Sequence, residues 1–516
     1  MQQSQSKQQV GGILGFIERI GNKIPDITIL FISAFILVCV VSAVLAQIHF
    51  NYVHPATGRP IEITNMLSGK ALVDLMSKMV TNYANFPPLS MVIVATLGIG
   101  IADGSGYINT GLKKILSITP KVLITPVVIL VGMLSHLGPD SGYVIIIPIA
   151  AYMFYAVGKH PLAGIAASFA GIAGAFAANY TPSAIDPVIQ GFTQSAAQII
   201  DPGYQVNVLC NYFYAFASTF IVIGACWWVT EKITNPWLWK ACPLDEDLNL
   251  GNENNSSITP SENRAFKIAT AVLLLMLTGL AAALYPADSI LRAPDGVIAS
   301  FKAPIMQSIV SLIFIFATLV GLVYGIACGK FKSPKDVTAA MEEITKTLVQ
   351  LIVFYFFAAQ FLYAFGASNM GALIAVSGAE FLKSLNLPPQ VTVFGIIVFV
   401  ALLNLIITSA SAKWAILAPI FVPMLMAVGI APELTQVAFR VSDSAVNVVT
   451  PMFAFYPLII LYCQKYVKNA GIGTLSSMML PYTIALLVSL TFMLYLFWWL
   501  DIPLGFQADY VYPRRF

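Results

Sequence analysis

The stretch "TSASAKWAILAP", residues 408–419, decides how this chain is read. It sets a lysine, Lys413, and a tryptophan, Trp414, between two apolar runs, "VFGIIVFVALLNLII" (393–407) and "APIFVPMLMAVGI" (418–430). An ammonium group in such surroundings needs a reason. Of 516 residues, 58% are hydrophobic and only 10% are charged, and the mean hydropathy is +0.81. A soluble domain carries about 25% charged residues, so the chain reads as an all-α polytopic membrane protein. A formal net charge of +3 is too small to argue for a nucleic-acid partner. The six cysteines lack CxxC or metal-ligand spacing and read as small buried hydrophobes.

A helix needs about 20 apolar residues to cross the hydrocarbon. That rule predicts nine transmembrane helices, near 27–48, 84–103, 161–180, 206–230, 266–286, 304–328, 346–366, 432–464 and 475–499. Two apolar pairs, 122–157 and 390–429, are interrupted by polar tips, "SHLGPDSG" (135–142) and "TSASAK" (408–413). Irregular backbone at membrane depth survives only where protein or a wet cavity covers it. Both pairs are therefore expected to be re-entrant hairpins. The expected layout is an N-terminal segment 1–26, a first membrane half 27–230, a connecting loop 231–265, a second half 266–508 and a tail 509–516. The N-terminal segment lacks the apolar core of a signal peptide. With the N-terminus in the cytoplasm, 17 of the 27 basic residues fall inside and 8 outside. This bias places the C-terminus outside.

Shifted by 271 residues, "YVIIIPIAAYMFYAVGKHP" (143–161) lies without gaps on "WAILAPIFVPMLMAVGIAP" (414–432), with eight of 19 positions identical. Among them are Pro148/Pro419, Gly158/Gly429 and Pro161/Pro432. The charge count puts the two hairpins on opposite faces, so the repeats are expected to be inverted, as in secondary transporters. Each hairpin is followed by a Pro-initiated helix that ends at an Asn and Thr-Pro break: Asn179 with Thr181-Pro182, and Asn447 with Thr450-Pro451. Proline frees carbonyls in such a break, and these suit sodium or a proton relay.

Ionisable groups inside the membrane mark functional sites. Arg440 and Asp443, three apart, share a helix face. One reading is a tethering ion pair. The other sets Arg440 against a substrate carboxylate, which its fork matches with two hydrogen bonds, and lets Asp443 exchange a coupling cation. Lys413 either lines the same cavity or snorkels to the surface. Trp414 either stacks on a substrate ring or packs. Asp140 and Asp186 are candidate proton carriers, His136 a hydrogen-bonded structural residue, and Asn404 a candidate sodium ligand. The chain contains no HExxH, P-loop or GxSxG motif, so it is not expected to be an enzyme or to use ATP. A channel and a membrane-embedded enzyme remain as rivals, to be told apart by saturation and by product chemistry.

"SASAKWAILAPIFVPM", "FRVSDSAVNVVTP", "IERIGNKIPD", the "SH…D" hairpin and "VGKHPLAG" together resemble the p-aminobenzoyl-glutamate transporter (AbgT) family over nearly the whole chain. That resemblance implies nine transmembrane helices with two re-entrant hairpins per subunit and a homodimer. It implies transport roles for Asp186, Trp414, Pro432, Arg440, Asp443 and Pro451, and a sodium site at Asn404 and Asp443. No other cofactor is expected. The substrates it implies are p-aminobenzoyl-glutamate, an anionic aromatic, or sulfonamide antimetabolites in export, with protons or sodium as coupling ion. A sodium–dicarboxylate symporter is the further alternative within transport.

Overall fold

The computed structural model describes residues 25–53, 58–135, 141–183, 185–245, 258–298, 300 and 302–513. Among these residues the chain is helical, and its only β pairing is two isolated bridges, Val53–Pro60 and Ile430–Val511. The first half contains α1 (Ile27–Leu45), α2 (Gly69–Ala84), α3 (Pro87–Ser105), α4 (Tyr107–Ser117), α5 (Ile124–Leu134), α6 (Ser141–Ala156), α7 (Pro161–Ala173), α8 (Ile185–Ala197) and α9 (Tyr212–Val229). A linking helix follows, α10 (Pro260–Leu284). The second half contains α11 (Ile309–Ala327), α12 (Pro334–Lys346), α13 (Val349–Ala367), α14 (Met370–Ser384), α15 (Pro389–Asn404), α16 (Ala410–Met426), α17 (Pro432–Val446), α18 (Tyr456–Gln464) and α19 (Ile472–Trp499).

Numbered this way, each helix of the first half has its counterpart ten places on, and the packing repeats with it. The hairpin arm α5 packs on α7 as α15 packs on α17, and α6 packs on α7 as α16 does on α17. The leading helices are exchanged: α1 packs on α13 of the second half, and α11 packs on α3 of the first. Local chemistry repeats as well. Gly158 and Gly429 turn the chain at φ +79 and +88, where a Cβ would be strained. Pro161 and Pro432 then open α7 and α17 at the position where a missing N–H costs nothing.

The two hairpins enter from opposite ends of α9. At the root of the first, Lys159 meets Glu231, and the Asn235 side chain accepts a hydrogen bond from His160 N–H at 3.0 Å. Both partners follow the C-terminal end of α9. At the root of the second, Tyr512 N–H donates to Gly429 O (2.9 Å) and Ala431 N–H to Tyr510 O (3.2 Å). The tail carrying these tyrosines returns past the other end of α9, where Phe506 N–H reaches Leu209 O and Tyr214 N–H reaches Leu504 O. The repeats are thus inverted. The arms are 11, 16, 16 and 17 residues long. At about 1.5 Å per residue none matches the ~30 Å hydrocarbon, as re-entrant arms require.

Seven of the nine expected crossings are helices long and apolar enough to span. The other two are broken: 161–180 stops at Ala173 before α8, and 432–464 is divided into α17 and α18. Helices α2, α4, α12 and α14 are not among the expected spans or hairpins. They are 11–16 residues long, carry lysines that are exposed or, in α4, half-buried, and fall short of an apolar window of about 20 residues. Two of them join hairpin arms at sharp bends, 120° between α4 and α5 and 117° between α14 and α15. The expected loop 231–265 is shorter than read. The helical path of α9 continues through a π turn (Thr230–Thr234) to Ala241, and α10 begins at Pro260 behind a Thr259–Glu262 capping box. Residues 246–257 of that loop, most of the segment 1–26, and Asp140 and His136 lie outside the described residues.

Helices α5 and α7 touch backbone to backbone. A Cβ on Gly171 would stand 2.5 Å from Ile129 O, and one on Gly132 would stand 3.0 Å from Ser168 O. Close approach through small residues is how helices associate without a hydrophobic driving force between them. Gly171→Val is expected to separate the first hairpin from α7 and cost about 1–3 kcal/mol. Gly279→Ala, in open space inside α10, should cost nothing and raise stability by up to about 1 kcal/mol. Thermal unfolding in detergent checks both.

Candidate functional site

Every residue of α17 is buried, although the helix carries Glu433, Gln436, Arg440, Asp443 and Ser444. Spaced three and four apart, Glu433, Gln436, Arg440, Asp443 and Asn447 form one polar stripe about 21 Å long. Burying these groups is tolerable only if each finds a partner. Glu433 accepts from the Tyr204 hydroxyl at 2.9 Å. Gln436 donates to Asn211 Oδ1 and accepts from the Thr193 hydroxyl, both at 2.6 Å. Ser444 Oγ accepts from Ala177 N–H at 2.6 Å.

The charged members bond to neighbouring helices rather than to each other. Arg440 Nη1 lies 2.7 Å from Asp186 Oδ1 in the first turn of α8, and Nη2 donates to Phe176 O at 2.7 Å. Phe176 follows the end of α7, so the arginine satisfies a carbonyl that the helix break sets free. Asp186 Oδ2 is held in turn by the N–H of Ser183 (2.7 Å) and its hydroxyl (3.0 Å). Asp443 Oδ1 lies 2.6 Å from Lys413 Nζ, with Lys413 completely buried. The ammonium also donates to Asn404 Oδ1, while Asn404 Nδ2 donates to Asp443 O (2.9 Å) and Asn447 Oδ1 (3.1 Å). Lys413 does not snorkel. The two pairs, Asp186–Arg440 and Asp443–Lys413, make a quartet with no formal net charge.

Trp414 is fully buried, stacked on Phe439 with ring centroids 4.4 Å apart, and its Nε1 donates to the Thr193 hydroxyl at 2.8 Å. Its ring is packed in this conformation and ties α16 to α8 and α17. Pro432 is buried at the start of α17, and Pro451 follows Thr450, whose hydroxyl donates to Leu405 O at 2.7 Å. The structure thus brings Asn404, Lys413, Trp414, Arg440, Asp443 and Asp186 into one neighbourhood. The two prolines frame it at the ends of α17. Glu433, Gln436 and Ser444 were not singled out in the sequence. Their three-and-four spacing within an apolar chain was the available signal.

A sodium ion at Asn404 and Asp443 would need their oxygens free. Asn404 Oδ1 and Asp443 Oδ1 both face the Lys413 ammonium, and Asn447 Nδ2 approaches Asp443 Oδ2 at 3.4 Å. In this arrangement the donor set fits the tethered lysine cation and does not fit sodium. The space beside Arg440 is equally small. A cavity of about 10 Å³, lined by Asn179, Thr181, Asp186, Asn211, Tyr212 and Arg440 among others, holds no more than a water. A wider cavity of about 270 Å³ opens at the tip of the second hairpin, between Thr408, Ser409, Ala412, Gln350 and the start of α1. The site is therefore closed around its ion pairs.

Removing one partner of a buried pair leaves an uncompensated charge. Lys413→Ala is expected to cost about 3–5 kcal/mol, and Lys413→Ala/Asp443→Ala to recover most of it. Added sodium should stabilise the single variant and leave wild type unmoved. Melting curves in detergent, with sodium against choline, check this.

Comparison with known proteins agrees with the geometry. Residues 12–512 match the model of the "AbgT putative transporter family". The p-aminobenzoyl-glutamate transport protein of Escherichia coli K12 is 33% identical over 511 residues, covering 99% of this chain and 98% of that one. The crystal structure of the Alcanivorax borkumensis YdaH transporter superimposes with a TM-score of 0.87 at 36% identity, over 93% of this chain and all of that one. Neisseria gonorrhoeae MtrF, described as illuminating a class of antimetabolite efflux pumps, gives 0.90 at 39% identity, over 96% of this chain and all of that one. With its hairpins, broken helices and buried ion pairs in place along the whole length, the chain belongs to the AbgT family of transporters.

Proposed function

We propose that the protein is a cation-coupled secondary transporter of p-aminobenzoyl-glutamate or a close analogue, working as a homodimer in a bacterial inner membrane. Its N-terminus is cytoplasmic and its C-terminus periplasmic. The observation that carries this reading is the neutral quartet of Asp186, Arg440, Asp443 and Lys413. Charges in the membrane interior are tolerated in pairs. An arriving carboxylate adds a negative charge that the quartet does not balance, so a cation must bind and travel with it.

The side chains divide the work. Arg440 offers the planar fork that a carboxylate matches. In the closed state Asp186 and Phe176 O occupy that fork, and substrate binding exchanges Asp186 for a substrate carboxylate. Asp186, then unpaired, is the place for a coupling proton. Lys413 and Asp443 are the second exchangeable pair, facing the second carboxylate. The small cavity beside Arg440 means that this exchange requires opening, in keeping with alternating access between inverted repeats. Trp414 supports the site by holding α16 against α8, and stacking on an aniline ring requires it to leave Phe439.

Export of sulfonamide antimetabolites on the same scaffold is the second reading. It is favoured by the 39% identity to MtrF and by the aniline ring that both kinds of compound share. One experiment separates the readings. Purified protein in proteoliposomes is given labelled p-aminobenzoyl-glutamate or labelled sulfonamide, with imposed sodium or proton gradients. Saturable, gradient-driven flux of the first compound is expected. Non-saturable flux, or flux indifferent to both gradients, removes the coupled-transporter reading, and flux of the sulfonamide alone establishes the second. Arg440→Lys loses the bidentate bond, so substrate affinity should fall about 10- to 100-fold.

A further inference from the structure

Away from the ion pairs, a groove of about 600 Å³ lies at the root of the first hairpin. Its walls come from the turn between α4 and α5 (Lys121, Val122), the turn after α6 (Val157, Lys159) and the end of α9 (Gly224, Trp227, Trp228, Glu231, Lys232). We propose that this groove binds an anionic phospholipid, with the phosphate at the lysines and an acyl chain along α9.

The mouth is basic. Glu231 is already engaged, because Oε1 accepts from Thr125 Oγ1 at 2.6 Å and pairs with Lys159. That leaves the exposed Lys121 and Lys232 as cations in excess, across an opening that Lys159 closes on the protein side. Basic pockets between transmembrane helices suit anionic headgroups, and each lysine near the surface contributes to the attraction.

The wall below is apolar and notched. Phe216, Phe220, Gly224 and Trp228 follow each other at four-residue spacing on one face of α9, and the three aromatics are 43%, 64% and 58% exposed. A Cβ on Gly224 would meet nothing within 4 Å. The glycine therefore opens a slot in an otherwise bulky, outward-facing stripe, directly beneath the lysines. Exposed Trp227, Trp237 and Trp239 around the same end of the helix mark it as the headgroup level. A π turn at Thr230–Thr234 follows at once and carries Glu231 and Lys232. A soluble anion has no use for the slot, and a neutral lipid has none for the two lysines. An anionic phospholipid uses both.

The test is lipid retention by the full-length protein. Detergent-solubilised protein is mixed with phosphatidylglycerol or phosphatidylcholine, and bound lipid is counted by native mass spectrometry alongside the melting temperature. Phosphatidylglycerol should be retained and raise the melting temperature, and phosphatidylcholine should do neither. Lys121→Ala/Lys232→Ala should weaken phosphatidylglycerol retention about thirtyfold. Gly224→Phe, which fills the slot, should weaken it with both lysines intact. Equal retention of the two lipids, or a double variant that binds like wild type, overturns the proposal. So does an equal thermal shift from inorganic phosphate, which makes the groove a site for soluble anions. Cross-linking of a Gly224→Cys variant to a second copy of the chain also overturns it, by making the slot an interface between copies.

Discussion

The need to keep charge paired where water is scarce organises the middle of this protein. Arg440 and Asp443 on α17 cost roughly 2.5–3.5 kcal/mol each to place at the centre of a membrane helix. Two neighbouring helices carry the counter-charges, Asp186 on α8 and Lys413 on α16, at 2.7 and 2.6 Å. Those helices come from different halves of the chain. The pairing that makes the charges tolerable therefore also fastens the halves together around α17.

The inverted repeat is geometrically faithful and chemically unequal. Helix α7, "PLAGIAASFAGIA", is as fully buried as α17, but it carries a single polar side chain, Ser168, which bonds its own backbone. It serves as a smooth surface for α5 and α6, with Gly171 letting backbones touch. Its counterpart α17 concentrates the polar groups. One half thus supplies a scaffold and the other a reactive stripe, and the exchanged helices α1 and α11 pack each half against the other.

Much of this was legible in the residues. The polar tips inside apolar runs located both hairpins to within a few residues, and the Pro–Gly–Pro register between 143–161 and 414–432 revealed the repeat. The tertiary partners of the charges were not legible. Spacing along a helix shows that Arg440 and Asp443 share a face, but says nothing about which neighbour each one meets. The sequence left Lys413 between cavity and surface, and only the fold places its ammonium against Asp443 and Asn404. Helices α4 and α14 were hidden because hydropathy recognises long uniform segments, whereas these are short and two-faced.

The tail that crosses the root of the second hairpin has a mechanical consequence. Ile430 and Val511 form a small bridge flanked by the Gly429–Tyr512 and Ala431–Tyr510 bonds, so the base of α16 is pinned through its backbone, whereas its far end is held by side chains, Lys413 on Asp443 and Trp414 on Thr193. Sixteen residues separate Gly429 from Lys413, a lever arm of about 24 Å. Rocking this arm about its fulcrum by ~10° swings the lysine end through ~4 Å, ample to part a contact of 2.6 Å. The leverage resides in the geometry of the arm, so a modest tilt at the pinned end is enough to unlock the charge at the other.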